Sequence, residues 1–118
     1  MRTLKLLVLM PLLCSLLAAC TTTSDSSESV WIDVRTVEEY SDDHITGDAN
    51  IPLATIDPDQ LASQYGKDTE INLYCRSGNR AGQAMAILQE AGFTNVNNVG
   101  GIDDVRELRD IAQSSANQ

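Results

Sequence analysis

The sequence predicts one small α/β domain, a mostly parallel sheet covered by helices on both faces. Three observations carry that prediction. The 118 residues suffice for one fold of on the order of 100–150 residues. Short β-branched runs alternate with amphipathic segments of helical period, as in units whose strands run the same way. No internal repeat interrupts the alternation.

Val30–Val34 (VWIDV) is β-branched and aromatic, and of strand length. Thr36-Val37-Glu38-Glu39 has the spacing of a capping box and opens a short helix ending near Asp43. Pro52 prevents a helix from running through Ile51. Asp57-Pro58 sets an N-cap before a first-turn proline, so a second helix runs towards Tyr65 and stops at Gly66. Glu70–Tyr74 reads as the next strand. From Asn79 to Ala91 the chain is helical in composition, with Ala84, Ile87, Leu88 and Ala91 on one face and Gly92 as the stop. Val96–Val99 is a short strand, Gly100-Gly101 a turn, and Ile102 onward a last helix using Val105, Leu108, Ile111 and Ala112. The domain is expected over residues 29–113, with a frayed tail over 114–118. Trp31, Tyr74 and Met85 read as packing residues.

The first nineteen residues have a different character. Arg2 and Lys5 precede Leu6–Ala19, apolar except for Pro11 and Ser15. Fourteen residues are too few for a helix across ~30 Å of hydrocarbon, which takes about 20, so residues 1–19 read as an export signal. Leu17-Ala18-Ala19-Cys20 resembles a bacterial lipobox, which implies a lipid on Cys20 and favours the outer membrane where the cell has one. Residues 20–28 are small and polar, a flexible tether. The expected location is therefore a lipid-anchored domain facing the periplasm, or the exterior of a cell without an outer membrane.

Charge and cysteine count limit the functions open to the domain. A net charge of −9 and a pI near 4.3 argue against nucleic-acid binding, which needs a basic face. Removing Arg2 and Lys5 with the signal would make the chain more acidic still. Of three cysteines, Cys14 would go with the signal and Cys20 would carry lipid. Cys75 then remains as the single free thiol, at the end of a strand and before a helix, where ligands bind in open α/β sheets.

The loop Cys75-Arg76-Ser77-Gly78-Asn79-Arg80 suits an anion held around a thiolate. Gly78 and Asn79 tolerate positive φ, so successive N–H groups can curl into a nest. The helix start adds partial positive charge, and Arg76 and Arg80 add two full charges, all lowering the thiol pKa. Arg76 is expected at the mouth. Asp33 with Arg35 reads as an internal ion-pair frame. His44, the only histidine, reads as structural. A C-x-x-C oxidoreductase and a zinc site both lack ligands, so no metal is expected.

These residues resemble a family. Cys75-Arg76-Ser77-Gly78-Asn79-Arg80 is similar to the active-site loop of the rhodaneses, with common form C-R-S-G-x-R. Asp33-Val34-Arg35, Glu39-Tyr40 and His44-Ile45-x-Gly47-x-Ala49-x-Ile51-Pro52 resemble the upstream signature of the family. Gly92-Phe93, Val96 and Val99-Gly100-Gly101 resemble the downstream one. The layout is similar to the periplasmic phage-shock-protein E type. Two departures, Asp43 where the family often has Gly and Asp48 before Ala49-Asn50, are expected to fall in a peripheral segment.

The resemblance implies a three-layer rhodanese-like fold and a thiosulfate sulfurtransferase. Sulfane sulfur would pass from a small anionic donor, through a Cys75 persulfide, to cyanide or a thiol. By the same resemblance Arg80 is expected to turn back and shape the loop, pairing with an acid such as Asp33 or Glu39. No cofactor and no nucleic acid are implied, the membrane is met only through the lipid, and the chain is expected to act as a monomer. A related phosphatase loop would place arginine six positions after the cysteine, and here it stands at five. The alternatives kept open are a non-catalytic rhodanese-like binding module and a persulfide carrier with a different donor.

Overall fold

The structure, a computed structural model, describes residues 28–111. The signal and lipid readings on residues 1–20, most of the tether, Ala112 and the tail lie outside the described residues. Four strands form one parallel sheet in the order β2-β1-β3-β4. They are β1 (Val30–Asp33), β2 (Ala49–Asn50), β3 (Ile71–Cys75) and β4 (Val96–Gly101). The helices are α1 (Val37–Asp42), α2 (Pro58–Tyr65), α3 (Asn79–Glu90) and α4 (Ile102–Leu108), with a 3₁₀ turn over Leu53–Thr55.

The expected caps position these helices. Thr36 and Glu39 exchange the reciprocal bonds of a capping box at α1. Asp57 accepts from the N–H groups of Asp59 and Gln60 at the start of α2, with Pro58 at its first position. Gly66 ends α2 with φ 81°.

β3 is buried along its whole length, and its alternation separates two cores. Ile71, Leu73 and Cys75 face one way, packed with Ile32, Leu61, Ala81, Ala84 and Leu88 from β1, α2 and α3 and with Phe93 just after α3. Tyr74 faces the other way, with Ile45, Ile102 and Val105. Helices therefore cover both faces, and Cys75 and its neighbour Tyr74 belong to opposite layers.

The structure corrects four local expectations. A two-residue strand, β2, pairs with β1 in a segment with no strand-like run. Gly100 and Gly101 lie within β4 rather than in a turn. The register against β3 jumps from Leu73↔Asn98 to Tyr74↔Gly100, leaving Val99 as an extra residue, and Gly100 has φ 108°. Ile87 and Leu108, expected in the core, are 40% and 67% exposed. Ile87 sits beyond the Ala81–Ala84–Leu88 stripe, and α4 stops at Leu108 before another turn can bury it.

Asp43 and Asp48 are not peripheral, which is the fourth correction. The buried Asp48 carboxylate accepts from the Tyr74 hydroxyl at 2.8 Å and from Arg109 at 2.8 and 3.0 Å. The Arg109 guanidinium also lies over the Trp31 ring, 4.5 Å from its centroid. The Asp48 carbonyl accepts from Tyr40. Burial first, then Asp48, pushes the Tyr74 phenol above its usual range, so it stays protonated and donates. Asp48→Ala would leave this hydroxyl and a half-buried guanidinium without their acceptor. Urea unfolding is expected to show a loss of roughly 3 kcal/mol, with Asp48→Asn losing less.

Candidate active site

Cys75 is the last residue of β3 and only 1% exposed. The chain then turns through Arg76 and Ser77 to Gly78, whose φ of 93° starts α3 at Asn79. Of the two residues expected to tolerate positive φ, only Gly78 uses it; Asn79 is already helical, and its side chain accepts from Gln83. The turn folds the backbone around the sulfur, and the Gly78 N–H donates to Sγ at 3.0 Å.

Burial works to raise the Cys75 pKa, and the N–H groups of Ala81, Ser77, Gly78 and Arg80 more than offset it. The thiol is therefore more acidic than an ordinary cysteine although it is buried. Four backbone donors and a helix start can do this without a titrating base. His44 takes no part: it is exposed, stacks on Tyr40 and bonds the Tyr40 carbonyl.

The two loop arginines separate. Arg80 turns back and pairs with Glu39 through two bonds of 2.7 and 3.0 Å. This pair joins α3 to the cap of α1, because the same carboxylate accepts from Thr36. Arg80 first, then the Thr36 backbone, holds Glu39 down to about 2, from an ordinary 4.5. The pair stabilises the fold fully above that ordinary value and ceases to do so as pH falls through about 2. Arg76 and Ser77 are exposed, and Arg76 has no acidic side-chain partner among the described residues.

Asp33 and Arg35 form the internal frame. Asp33 is fully buried and takes bonds of 2.8–3.0 Å from the Arg35 side chain and backbone. Burial opposes the Arg35 charge, and Asp33 overcompensates, raising its pKa. Arg35 also donates to the Asp43 carbonyl at 2.6 Å. A cleft of about 270 Å³ beside the loop is lined by Arg35, Glu39, Asp43, Arg76, Asp103 and Arg106, among others.

Sequence reasoning missed the support beneath the loop. Asn98 donates to the Gly78 carbonyl and accepts from the Gly100 N–H, tying the loop to β4. A Cβ on Gly101 would run into the Arg76 carbonyl, and one on Gly78 would stand 3.2 Å from the Gly100 Cα. Asp104 caps α4 by accepting from the Gly101 N–H at 2.7 Å. The available signal was Asn97-Asn98 in a strand, where asparagine is a poor former. Gly78→Ala would strain the left-handed turn and push the loop off Gly100. The pH profile of Cys75 alkylation by iodoacetamide is expected to show an apparent pKa below the ~8.5 of free cysteine, rising in Gly78→Ala.

Comparison with known proteins agrees with this geometry. Residues 19–108 match the family described as Rhodanese-like domain. Thiosulfate sulfurtransferase PspE of Escherichia coli is 40% identical over 75 residues, covering 64% of this chain and 72% of that protein. Putative sulfur carrier protein YrkF of Bacillus subtilis is 40% identical over 76 residues, covering 64% of this chain and 40% of that longer protein. A solved rhodanese with anions from E. coli superposes with a TM-score of 0.59 at 40% identity, covering 65% of this chain and 91% of its own. Family match, sequence likeness and structural superposition agree: the chain belongs to the rhodanese-like domain family.

Proposed function

We propose that the protein moves sulfane sulfur from thiosulfate or a similar anionic donor, through a persulfide on Cys75, to cyanide or a thiol. That it is a sulfurtransferase follows from its family and its likeness to PspE; donor, acceptor and residue roles are our reading. The observation that carries this reading is the buried Cys75 sulfur at the head of the loop, accepting from the Gly78 N–H at 3.0 Å, with the loop backbone lowering its pKa.

In the first step the Cys75 thiolate attacks the outer sulfur of thiosulfate. A Cys–S–S bond forms, the S–S bond of the donor breaks, and sulfite departs with the electron pair of that bond. The negative charge moves from Sγ to the outer sulfur of the persulfide. The N–H nest supports the thiolate at the start and the persulfide and departing sulfite afterwards, so no proton has to move. In the second step cyanide takes the outer sulfur as thiocyanate, or a thiol takes it as a hydropersulfide, and the Cys75 thiolate returns. Arg76, exposed at the mouth, attracts the dianion to an otherwise acidic molecule. Ser77, Gly78 and Asn79 shape the nest, Arg80 holds it to Glu39, and Asp33 with Arg35 supports it from below.

We further propose that residues 1–19 direct export and that a lipid on Cys20 anchors the domain at a bacterial membrane, facing the periplasm. Residues 20–28 serve as tether, 29–113 as the domain and 114–118 as tail. Support comes from the sequence: the short apolar run, the lipobox-like Leu17–Cys20 and the polar stretch after it.

Treating the protein with thiosulfate is expected to add about 32 Da, one sulfur atom, at Cys75, and cyanide should remove it. Cys75→Ser should show neither this addition nor thiocyanate formation. Sulfur loading without turnover would favour the carrier alternative, and turnover in Cys75→Ser would end the assignment. In cell fractionation, Cys20→Ser is expected to move from the membrane to the soluble fraction, and continued membrane association would count against the lipid.

A further inference from the structure

Three cations line the cleft beside the cysteine loop: Arg35, Arg76 and Arg106. Their electrostatic situations differ. Arg35 is matched by the fully buried Asp33. Arg106, on α4, has a side chain only 7% exposed, and its Nη2 meets Asp43 Oδ1 at 2.7 Å. Its other nitrogen is 3.4 Å from Asp103, a side chain 80% exposed to solvent. Asp43 is thus the close partner of Arg106, and Asp103 a long and well-screened one. Arg76 alone of the three has no acidic side-chain partner among the described residues.

We propose that Asp43 is a specificity-determining residue, which sets the anion preference of the cysteine mouth by neutralising Arg106. With Asp43 in place the cleft beside the loop holds, among the described residues, one unpaired cation, Arg76, next to the carboxylates of Glu39, Asp42 and Asp103. Without the charge on Asp43, Arg106 keeps its position in the cleft wall and becomes a second. A buried guanidinium losing its close counter-ion acts over the cleft more strongly than an exposed one, because less water screens it. The reagents that feel the change are those carrying negative charge to Cys75.

The position of Asp43 supports this role. It caps the end of α1, its carbonyl holds Arg35 at 2.6 Å, and its carboxylate holds Arg106 at 2.7 Å. One residue therefore joins the Asp33–Arg35 frame to α4 across the cleft. Asn at this position retains the carbonyl contact and an amide oxygen for Arg106, so Asp43→Asn removes charge while sparing geometry.

The proposal rests on the Cys75 site proposed above, and its first test needs no sulfur transfer. Alkylation of Cys75 in the full chain by anionic iodoacetate and by neutral iodoacetamide is followed by mass spectrometry of the Cys75 peptide. The ratio of the two rates cancels any change in thiolate fraction. Asp43→Asn is expected to raise the iodoacetate-to-iodoacetamide ratio by about threefold or more at low salt, with part of the rise kept in high salt because the guanidinium is buried. Asp59→Asn, an exposed acid on α2 outside the cleft, is the control for net charge. An unchanged ratio in Asp43→Asn, or an equal rise in Asp59→Asn, overturns the proposal. In turnover, Asp43→Asn should lower the thiosulfate KM with kcat little changed. Absence of turnover in the unmodified protein would refute the donor assignment while the alkylation result still decides the role of Asp43.

Discussion

A buried sulfur anion has to be surrounded by donors that do not themselves titrate, and most of this fold follows from meeting that need. Cys75 sits at the carboxyl end of a fully buried central strand, where burial by itself would keep the thiol neutral. Four backbone N–H groups reverse the balance, and they can converge only because Gly78 turns left-handed and α3 begins immediately after it. That turn in turn requires room. The Gly100-Gly101 bulge of β4 supplies it, and Asn98 fastens the two segments together. The glycines on two separate strand ends are one structural feature.

Around this neutral machinery, formal charges are arranged in pairs. Arg80 and Glu39 join α3 to α1, Arg35 and Asp33 close the end of β1, and Arg106 and Asp43 bring α4 to the end of α1. Arg109 and Asp48 close the other layer beneath Tyr74. Each arginine placed in this way is held in one orientation by its carboxylate. The loop arginine without such a pair, Arg76, is the one at the surface. Within a strongly acidic chain, the exposed end of the cysteine loop thus keeps a cation with no acidic side-chain partner among the described residues.

Much of this was legible in the sequence because it is local. The cap residues Thr36 and Asp57, the stop at Gly66 and the strand-loop-helix around Cys75 depend on neighbours within a few positions. The Cys75-Arg76-Ser77-Gly78-Asn79-Arg80 run carried the family resemblance. The unread parts depend on partners far along the chain. Asn98 reaches Gly78, Asp48 reaches Tyr74 and Arg109, and Asp43 reaches Arg106. Nothing in the sequence near Asp43 or Asp48 marks them as buried or bridging, so departures from the family pattern passed for surface variation. β2 escaped for a related reason: two residues have no periodicity, and their strand exists only by pairing with β1.

The parallel sheet has a directional consequence. The described chain enters the sheet at Val30, the amino end of β1, and Cys75 lies at the carboxyl end of β3 beside it. At about 3.3 Å per residue, Cys75 stands roughly 13 Å along the strand axis from the point of entry, at the opposite end of the sheet. The cysteine loop therefore lies at the end of the sheet away from the point where the described chain enters it. The donors and acceptors it can serve are those arriving from the open side.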